Sequence, residues 1–412
     1  MTSTSAEPLQ LDASFFADSH ALYTVLRAQR PVLRVVTTTG LQVWLVTRYD
    51  DARAALNDPR LGKDGTRFAA MLGRQLADPS KRVHFADSIR AHMLNSDPPD
   101  HTRLRKLVNR AFTVRAIATL RPRITAIANE LADQMAVRLR AGEPSVDLLD
   151  EFAFPLPMTV ITEILGVANQ DRDSVRTWSN TMTLNVAPAE QRRAAALAMG
   201  QYLTTLVENK RAQPGEDMLS AIVAATEDAD QLSEREAVSM AFLLLVAGYE
   251  TTVNLIGNGM LALLRNPHRM TELRANPELT PSAVEEFLRF DGPLNVATFR
   301  HSIEPLTIGG VHIPAGVVVL VSLASANRDP DHYQRPDELD LRRDPGQHLA
   351  FGYGIHHCLG APLARLEGEI AFRTLLDRFP HLTLAAEPSE LTWRSSMLIH
   401  GLNRLPVRLA GE

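Results

Sequence analysis

The most reactive side chain of this sequence is a lone thiol in a glycine-rich segment. Cys358 is the only cysteine among 412 residues, and it lies between Gly354 and Gly360, just before a helical pattern that starts near Ala361. The unpaired amides and the dipole at a helix N-terminus stabilise an anion, so this position favours a thiolate. A buried structural cysteine is the ordinary interpretation of a single thiol. The glycine-rich setting favours instead a thiolate that serves as the axial ligand of a heme iron.

A second chemical motif lies in the middle of the longest predicted helix. There Glu250 and Thr251 follow Gly248 and precede Thr252, although glycine and threonine are poor helix formers. The Thr251 hydroxyl can bond the carbonyl of Ala247 and open the helix locally. A carboxyl group beside a hydroxyl is also what the delivery of protons to a reacting oxygen requires. The alternative is an ordinary buried helix with one polar side.

The composition excludes several classes of function. The net charge of −5 argues against broad binding of nucleic acid. A single cysteine excludes an intramolecular disulfide and fits a reducing cytoplasm. Residues 1–8 lack the basic and apolar regions of a signal peptide, and the apolar stretches Ala241–Gly248 and Ala315–Leu323 are too short to span a bilayer. We therefore expect a soluble, cytoplasmic protein without a membrane anchor.

Other catalytic patterns do not occur. The sequence has no nucleophile elbow, zinc-protease motif, P-loop or dinucleotide-binding glycine motif. A zinc site at His356, His357 and Cys358 is improbable because no second cysteine exists. A hydrolase that used Cys358 would need a base, and nothing supplies a triad around it. Since no flavin or nicotinamide motif is present, electrons must come from a separate protein.

The pattern of apolar residues predicts one large domain over residues 18–412, after a disordered tip over residues 1–17. Helices dominate residues 99–264, and the longest begins with a capping box at Ser233 and Glu236 and runs to Asn266. Residues 61–96 show no sustained period. The remaining predicted elements are helices at Ala21–Gln29, Tyr49–Asn57, Pro281–Phe290 and Leu359–Arg378, strands at Val32–Val36, Leu41–Thr47, Val296–Arg300, Leu306–Ile313 and Val317–Ser322, and small hairpins near Leu382 and Met397–Ile399.

These motifs together resemble the cytochrome P450 family, in its soluble bacterial, actinobacterial form. The segment Phe351-Gly352-Tyr353-Gly354-Ile355-His356-His357-Cys358-Leu359-Gly360 is similar to the heme-binding signature of that family. The resemblance runs from about Asp18 to Leu409. It implies a mainly α (α+β) fold with a large helical body and a small, mostly antiparallel β region.

The resemblance also implies roles for particular residues. Cys358 would ligate the iron of heme b, and Phe351, Gly352, Gly360 and Ala247 would contact the cofactor. His101, Arg105, Arg300 and His356 would hold the heme propionates, although each alone is more often a surface cation. Glu250 would relay protons, and Thr251 would hold the oxygen-bound water network. Glu286 and Arg289 would form a buried structural pair with a third partner, either Arg342 or Arg343.

The implied function is that of a heme-thiolate monooxygenase. It would insert one atom of O₂ into a C–H bond or alkene of a hydrophobic small molecule, such as a macrolide, another polyketide or a steroid. Electrons would come from NAD(P)H through a ferredoxin or flavodoxin and its reductase, and the enzyme would be a monomer. Two alternatives are a heme-thiolate sensor that oxidises nothing and a peroxide-driven peroxygenase. Matching positions place nine residues in the substrate pocket, although core packing explains each equally well: Met93, Leu94, Leu243, Val246, Ala247, Asn295, Val296, Met397 and Leu398.

Overall fold

The computed structural model describes residues 7–12, 14–75, 91–141, 143–183, 187–227, 230–344 and 346–409. The chain forms two compact units. The larger comprises the residues up to Gly62, Pro122–Leu156 and the residues from Thr251 onward, and the smaller comprises Lys63–Arg121 and Pro157–Glu250. The single domain expected from the sequence remains a prediction. Disorder over residues 1–17 was not a correct expectation, because Leu9–Gln10 forms a strand and Ser14–Ala17 a helix; residues 1–6 and 13 lie outside the described residues.

Helices make up most of both units, and the predicted class of a mainly α fold with a small β region is confirmed. The α-helices are α1 (Ser14–Ala17), α2 (Ser19–Gln29), α3 (Tyr49–Asn57), α4 (Gly65–Gln75), α5 (Asp100–Asn109), α6 (Val114–Ala118), α7 (Arg121–Arg140), α8 (Pro155–Ile164), α9 (Arg172–Thr183), α10 (Ala189–Ala212), α11 (Met218–Ala224), α12 (Glu234–Arg265), α13 (Pro267–Ala275), α14 (Thr280–Asp291), α15 (Leu323–Ala326) and α16 (Ala361–Arg378). Short 3₁₀ turns lie at Met93–Asn95, Asn169–Asp171, Pro277–Leu279, Gly354–His356 and Pro388–Glu390, and a π-helix lies at Leu149–Ala153.

The strands are short, and most of their pairings are antiparallel. They are β1 (Leu9–Gln10), β2 (Val32–Val36), β3 (Gln42–Val46), β4 (Leu61–Gly62), β5 (Val146–Asp147), β6 (Thr226–Glu227), β7 (Asp230–Gln231), β8 (Arg300–Ser302), β9 (Leu306–Ile308), β10 (Val311–Ile313), β11 (Val318–Val321), β12 (Leu382–Leu384) and β13 (Pro406–Leu409). The main sheet of the larger unit has the order β1-β2-β3-β11-β8-β4, and its only parallel pairs are β1 with β2 and β3 with β11.

Local sequence signals placed several elements correctly. Helix α3 has the predicted bounds, and β2 pairs with β3 as an antiparallel hairpin from Val32 opposite Val46 to Val36 opposite Gln42. Helix α4 lies in the segment where no sustained period was found and was missed, although Phe68, Met71 and Leu72 have the i, i+3, i+4 spacing of one helical face.

Strands that depend on distant partners differ from the prediction. Strand β8 covers Arg300–Ser302, whereas Val296 makes only an isolated bridge with Ser322. The hairpin predicted near Leu382 is wrong as a local element, because β12 pairs with β13 at the C-terminal end. The hairpin predicted at Met397–Ile399 is present in irregular form: Trp393 bridges Leu402 in antiparallel fashion, and the Arg394 amide donates to the Gly401 carbonyl at 2.9 Å.

Helix α12 carries the motif of Glu250 and Thr251. Its predicted capping box is present, since Ser233 Oγ accepts a hydrogen bond from the Glu236 amide while the Glu236 carboxylate accepts one from the Ser233 amide. Helix α12 is long and apolar enough to span a membrane by length and composition. However, 72% of its most apolar window is buried within the structure, as in the core helix of a globular protein. The boundary between the two units falls between Glu250 and Thr251.

Candidate active site

The cysteine loop of the larger unit presents its thiol beside the start of α16. Cys358 is exposed, its amide donates to the Phe351 carbonyl at 2.9 Å, and Gly360 caps the helix two residues later. The short 3₁₀ turn Gly354–His356 lies between these points. A thiol on a closed loop, held next to a helix N-terminus, is placed where its thiolate form is stabilised.

Two glycines of this loop are required by geometry. Gly352 has φ +71° and Gly354 has φ +76°, which is the left-handed region that side chains rarely adopt. A Cβ atom on Gly354 would also lie 2.6 Å from Asn57 Oδ1 and 3.2 Å from the Leu56 carbonyl oxygen at the end of α3. Helix α3 and the cysteine loop can therefore pack this closely only if residue 354 is a glycine.

An arginine of α16 links the thiol to a half-buried carboxylate. Hydrogen bonds to Glu285 are the main cause that raises the pKa of the Arg365 guanidinium, and the charge of Cys358 raises it further. Arg365 donates to Glu285 through Nε at 2.6 Å and Nη2 at 2.8 Å, and its guanidinium lies 4.5 Å from the centre of the Phe351 ring. A positive charge near Cys358 favours the thiolate.

His348 is the second side chain that binds the Glu285 carboxylate. The Ala350 amide donates to His348 Nδ1, so the ring proton is on Nε2, which donates to Glu285 at 3.1 Å. Burial alone would raise the pKa of Glu285, but the hydrogen bonds from Arg365 and His348 outweigh it and lower that pKa to about 2. Sequence analysis missed Arg365, Glu285 and His348. The available signal was the position of Arg365 on the predicted helix, seven residues after the cysteine.

The pair of Glu286 and Arg289 is buried, as the resemblance implied. The two side chains are 2% and 1% exposed, and Arg289 donates to both carboxylate oxygens at 2.7 and 2.8 Å. The third partner is Arg343, whose Nε lies 3.2 Å from Glu286 Oε2. Arg342 instead pairs with Glu272 on α13. Arg289 also donates to the carbonyls of Asn327 and Pro336, so this network fixes the chain that leads into the cysteine loop.

The middle of α12 has one accessible side. Ala247 is exposed, whereas Leu243, Val246 and Thr251 are partly exposed, and the residues between them are largely buried. Residues four apart lie on one helical face, so 243, 247 and 251 share it. Glu250 is 4% exposed. In the smaller unit, a Cβ atom on Gly248 would lie 2.9 Å from Ile161, which explains the small residue at that position.

The two adjacent threonines occupy different environments. Thr252 is 2% exposed, and its hydroxyl is close enough to the buried Glu367 of α16 to affect its titration. Burial raises the pKa of Glu367 to about 8, and the Thr252 hydroxyl offsets part of that rise. Thr252 is therefore a packing residue of the larger unit, whereas Thr251 faces the accessible side.

The predicted propionate ligands are two arginines and two histidines, which differ in how deeply they are buried. In the larger unit, Arg300 is 4% exposed and bonds the carbonyls of Thr298 and Leu56 at 3.4 Å, and His356 is partly exposed. In the smaller unit, His101 is 2% exposed, and burial followed by the charge of Arg105 lowers its pKa. Half-buried Arg105 donates to Asn109 on the next turn.

The remaining predicted pocket residues divide by exposure. Leu94, Met397 and Leu398 are partly exposed, whereas Met93, Asn295 and Val296 are 6%, 2% and 2% exposed. The Asn295 amide group donates to the Ser396 carbonyl, which ties two segments of the larger unit together. Core packing and this hydrogen bond account for the buried three.

These residues fit a heme. Within the larger unit, the donor set combines a lone thiol at a helix start with buried Arg300 and the partly exposed imidazole of His356, both suited to carboxylates. The two glycines with positive φ leave positions 352 and 354 of the loop without side chains. Accessible apolar side chains on α12 provide a surface for a hydrophobic molecule.

Comparison with known proteins agrees with this interpretation. The family model for cytochrome P450 matches residues 63–404. The chain is 50% identical to cytochrome P450 107B1 of Saccharopolyspora erythraea, over 97% of each chain. It is 46% identical to vitamin D(3) 25-hydroxylase of Pseudonocardia autotrophica, over 99% of this chain and 98% of that one. The solved structure of the P450 monooxygenase TamI with tirandamycin C superposes with a TM-score of 0.89 and 49% identity, over 98% of this chain and 100% of that one.

The chain belongs to the cytochrome P450 family. It is a heme-thiolate monooxygenase, which confirms the function class predicted from Cys358 and the motif on α12. The family uses heme and O₂.

Proposed function

We propose that this enzyme oxidises a bulky, hydrophobic secondary metabolite, such as a macrolide, another polyketide or a steroid. The observation that carries the proposal is the accessible apolar side of α12 at Leu243, Val246 and Ala247. Similar proteins act on or hold molecules of this size, since one relative is named for vitamin D(3) and one solved neighbour contains tirandamycin C. When bound, heme supplies the activation of O₂, of which one atom enters the substrate and the other leaves as water.

The chain's own residues would hold and assist the cofactor. Cys358 would ligate the iron, with Arg365 and the start of α16 stabilising its thiolate. Arg300, His356, His101 and Arg105 would bind the propionates through charge-assisted hydrogen bonds.

On α12, Glu250 would receive protons from solvent, and the Thr251 hydroxyl would hold the water that delivers them. The predicted contacts of Phe351, Gly352, Gly360 and Ala247 with the heme belong to the same proposal.

Replacement of the thiol tests the ligand. The reduced CO complex of the wild type should show the red-shifted Soret band of thiolate ligation. Cys358→His should return that band to a histidine-type position or lose the heme. An unchanged spectrum in the variant would remove Cys358 from the site.

The substrate is tested by binding spectra and by closing the apolar surface. We expect spectral shifts with some members of a panel of macrolides, other polyketides, steroids and small aromatic compounds. Val246→Trp should abolish the shifts of the large ligands and leave the CO spectrum intact. Val137→Trp, on the exposed face of α7, is the matched control. If the two variants bind the large ligands equally well, the side of α12 at Val246 does not line the pocket.

Electrons would come from NAD(P)H through a ferredoxin or flavodoxin and its reductase, and the enzyme would work as a cytoplasmic monomer. The C-terminal part of helix α5 offers a partner surface. Arg103 pairs with Asp230 and Glu236 in the smaller unit, whereas Lys106 and Arg110 remain exposed. An acidic partner would be attracted to such exposed positive charges.

A further inference from the structure

Two histidines and an aspartate meet in the larger unit, in residues to which the heme chemistry assigns no role. His20 Nε2 lies 3.1 Å and His400 Nε2 lies 2.8 Å from the same oxygen, Asp291 Oδ1. The ligand-type atoms of all three side chains lie within 4.8 Å of one another. The residues come from the start of α2, the last position of α14 and the segment before β13.

From this geometry, we propose that His20, Asp291 and His400 form a binding site for a zinc-type divalent cation. Imidazole nitrogen and carboxylate oxygen bind Zn²⁺ at about 2.0–2.2 Å, so ligand atoms of a tetrahedral site lie about 3.3 Å apart. The two separations from Asp291 Oδ1 are already close to that value. The two imidazole nitrogens lie within 4.8 Å of each other, and rotation of the rings would bring all three separations to that value. Water would take the fourth position.

The backbone and the rings of this site are held in place by neighbouring groups. Asn258 of α12 donates to the carbonyl of Asp291 and to that of His400, each at 3.0 Å. Trp393 stacks on the His400 ring at 4.3 Å with an interplanar angle of 9°. Two of the three ligands are therefore positioned before a metal arrives, which lowers the entropic cost of binding.

The protonation states of the ligands also suit a metal. Burial, followed by the charge of Arg328, lowers the pKa of His20 to about 4, so its imidazole is neutral at neutral pH. Burial opposes ionisation of Asp291, but the two imidazoles outweigh it and hold the pKa of that carboxyl well below its ordinary value. Metal ligands must be deprotonated, and these two already are.

Two features weaken the site. Arg328 contributes a positive charge near Asp291 and His20, although its guanidinium is anchored elsewhere, on the Phe290 carbonyl and over the Phe290 ring. Metal binding through Nε2 also moves the ring proton of His20 to Nδ1, which is buried and has no hydrogen-bond partner among the described residues. The His20 side chain, at 21% exposed, offers the route of entry.

Zinc bound there would link parts of the chain that are far apart in sequence. His20 and Asp291 are 271 positions apart, and Asp291 and His400 are 109 apart. A metal that joins α2 to α14 and to the C-terminal segment would slow the separation of these elements. The proposal does not depend on the substrate or on the electron source of the enzyme.

The test uses the heme-loaded enzyme, stripped of loosely bound metal with a chelator and equilibrated with Zn²⁺. Bound zinc is measured by mass spectrometry, because heme absorption would mask optical probes. We expect one equivalent that is weakened at least about tenfold in His20→Gln and in His400→Gln. His312→Gln, an exposed histidine on β10, is the matched control and should retain that equivalent.

Crystals soaked in Zn²⁺ provide a second measurement that does not depend on variant folding. An anomalous peak between the two imidazoles and Asp291 is expected. If soaked crystals show no peak there, or if His20→Gln binds zinc as tightly as the wild type, the trio is a hydrogen-bonded clasp and the proposal is wrong.

Discussion

The buried pair of Glu286 and Arg289 offers the sharpest test of how the cysteine loop is supported. Glu286→Gln keeps the shape of the side chain but removes the charge that compensates Arg289, which is 1% exposed. Breaking one partner of a buried ion pair costs about 3–5 kcal/mol. The upper half of that range is expected, because Glu286 also accepts from the Asp340 amide and pairs with Arg343.

A second pair with the same spacing provides the control. Arg335 and Glu338 are also three residues apart, but their side chains are 66% and 55% exposed. Glu338→Gln changes only an exposed side chain and leaves the backbone carbonyl of that residue in place. The free energy that an exposed ion pair contributes to stability is about 0–1 kcal/mol. The measurement is the denaturation midpoint, followed by far-ultraviolet circular dichroism and by loss of the Soret band. If the two variants shift the midpoint equally, then the charge of Glu286 does not stabilise the fold, and our account of this network is refuted.

Three further predictions concern the helix pair α12 and α16 and the surface of α5. Thr251→Ala should retain heme but divert reducing equivalents to hydrogen peroxide, whereas Thr252→Ala should keep near-normal coupling; equal coupling in both variants would contradict the relay. Because the pKa of Glu367 is raised to about 8, the folded state holds a proton that the unfolded state releases near pH 4.5, so stability falls as pH rises between these values. The fall amounts to about 5 kcal/mol at most, and Glu367→Gln should remove it in denaturation midpoints measured across pH. Lys106→Glu should raise the apparent KM for an acidic ferredoxin, and added salt should depress ferredoxin-supported but not peroxide-supported turnover; Arg408→Glu is the exposed control.

Local chemistry explains which parts of the fold the sequence could predict. The capping box at Ser233 and the bounds of α3 depend on residues a few positions apart, and the sequence located both. Strand β12 depends on β13, which follows it by more than twenty residues with a 3₁₀ turn between them, so no local pattern could reveal the partner. Helix α4 carried only a short signal, the spacing of Phe68, Met71 and Leu72 on one face, which is confined to little more than one turn.

The residues of the candidate site also fall into those that the sequence could identify and those that it could not. Its reactive residues have unusual types in unusual places, such as Cys358 among glycines, and the sequence singles them out. The supporting residues are ordinary arginines and carboxylates, whose roles depend on three-dimensional position. Arg342 and Arg343 are adjacent residues of the same type, so the sequence does not distinguish them. Their side chains are nevertheless 56% and 12% exposed, and only Arg343 contacts Glu286.

The two threonines of α12 show why burial must be known before a role is assigned. Adjacent residues of a helix point about 100° apart, so Thr251 and Thr252 cannot serve the same side. Burial keeps Glu367 protonated at neutral pH, and Thr252 lies beside this carboxyl in the packed interior. A hydroxyl held there cannot also meet oxygen on the accessible side of the helix. The proposed relay would therefore use Thr251, and the expected difference in coupling between the two alanine variants follows from the directions of the two side chains.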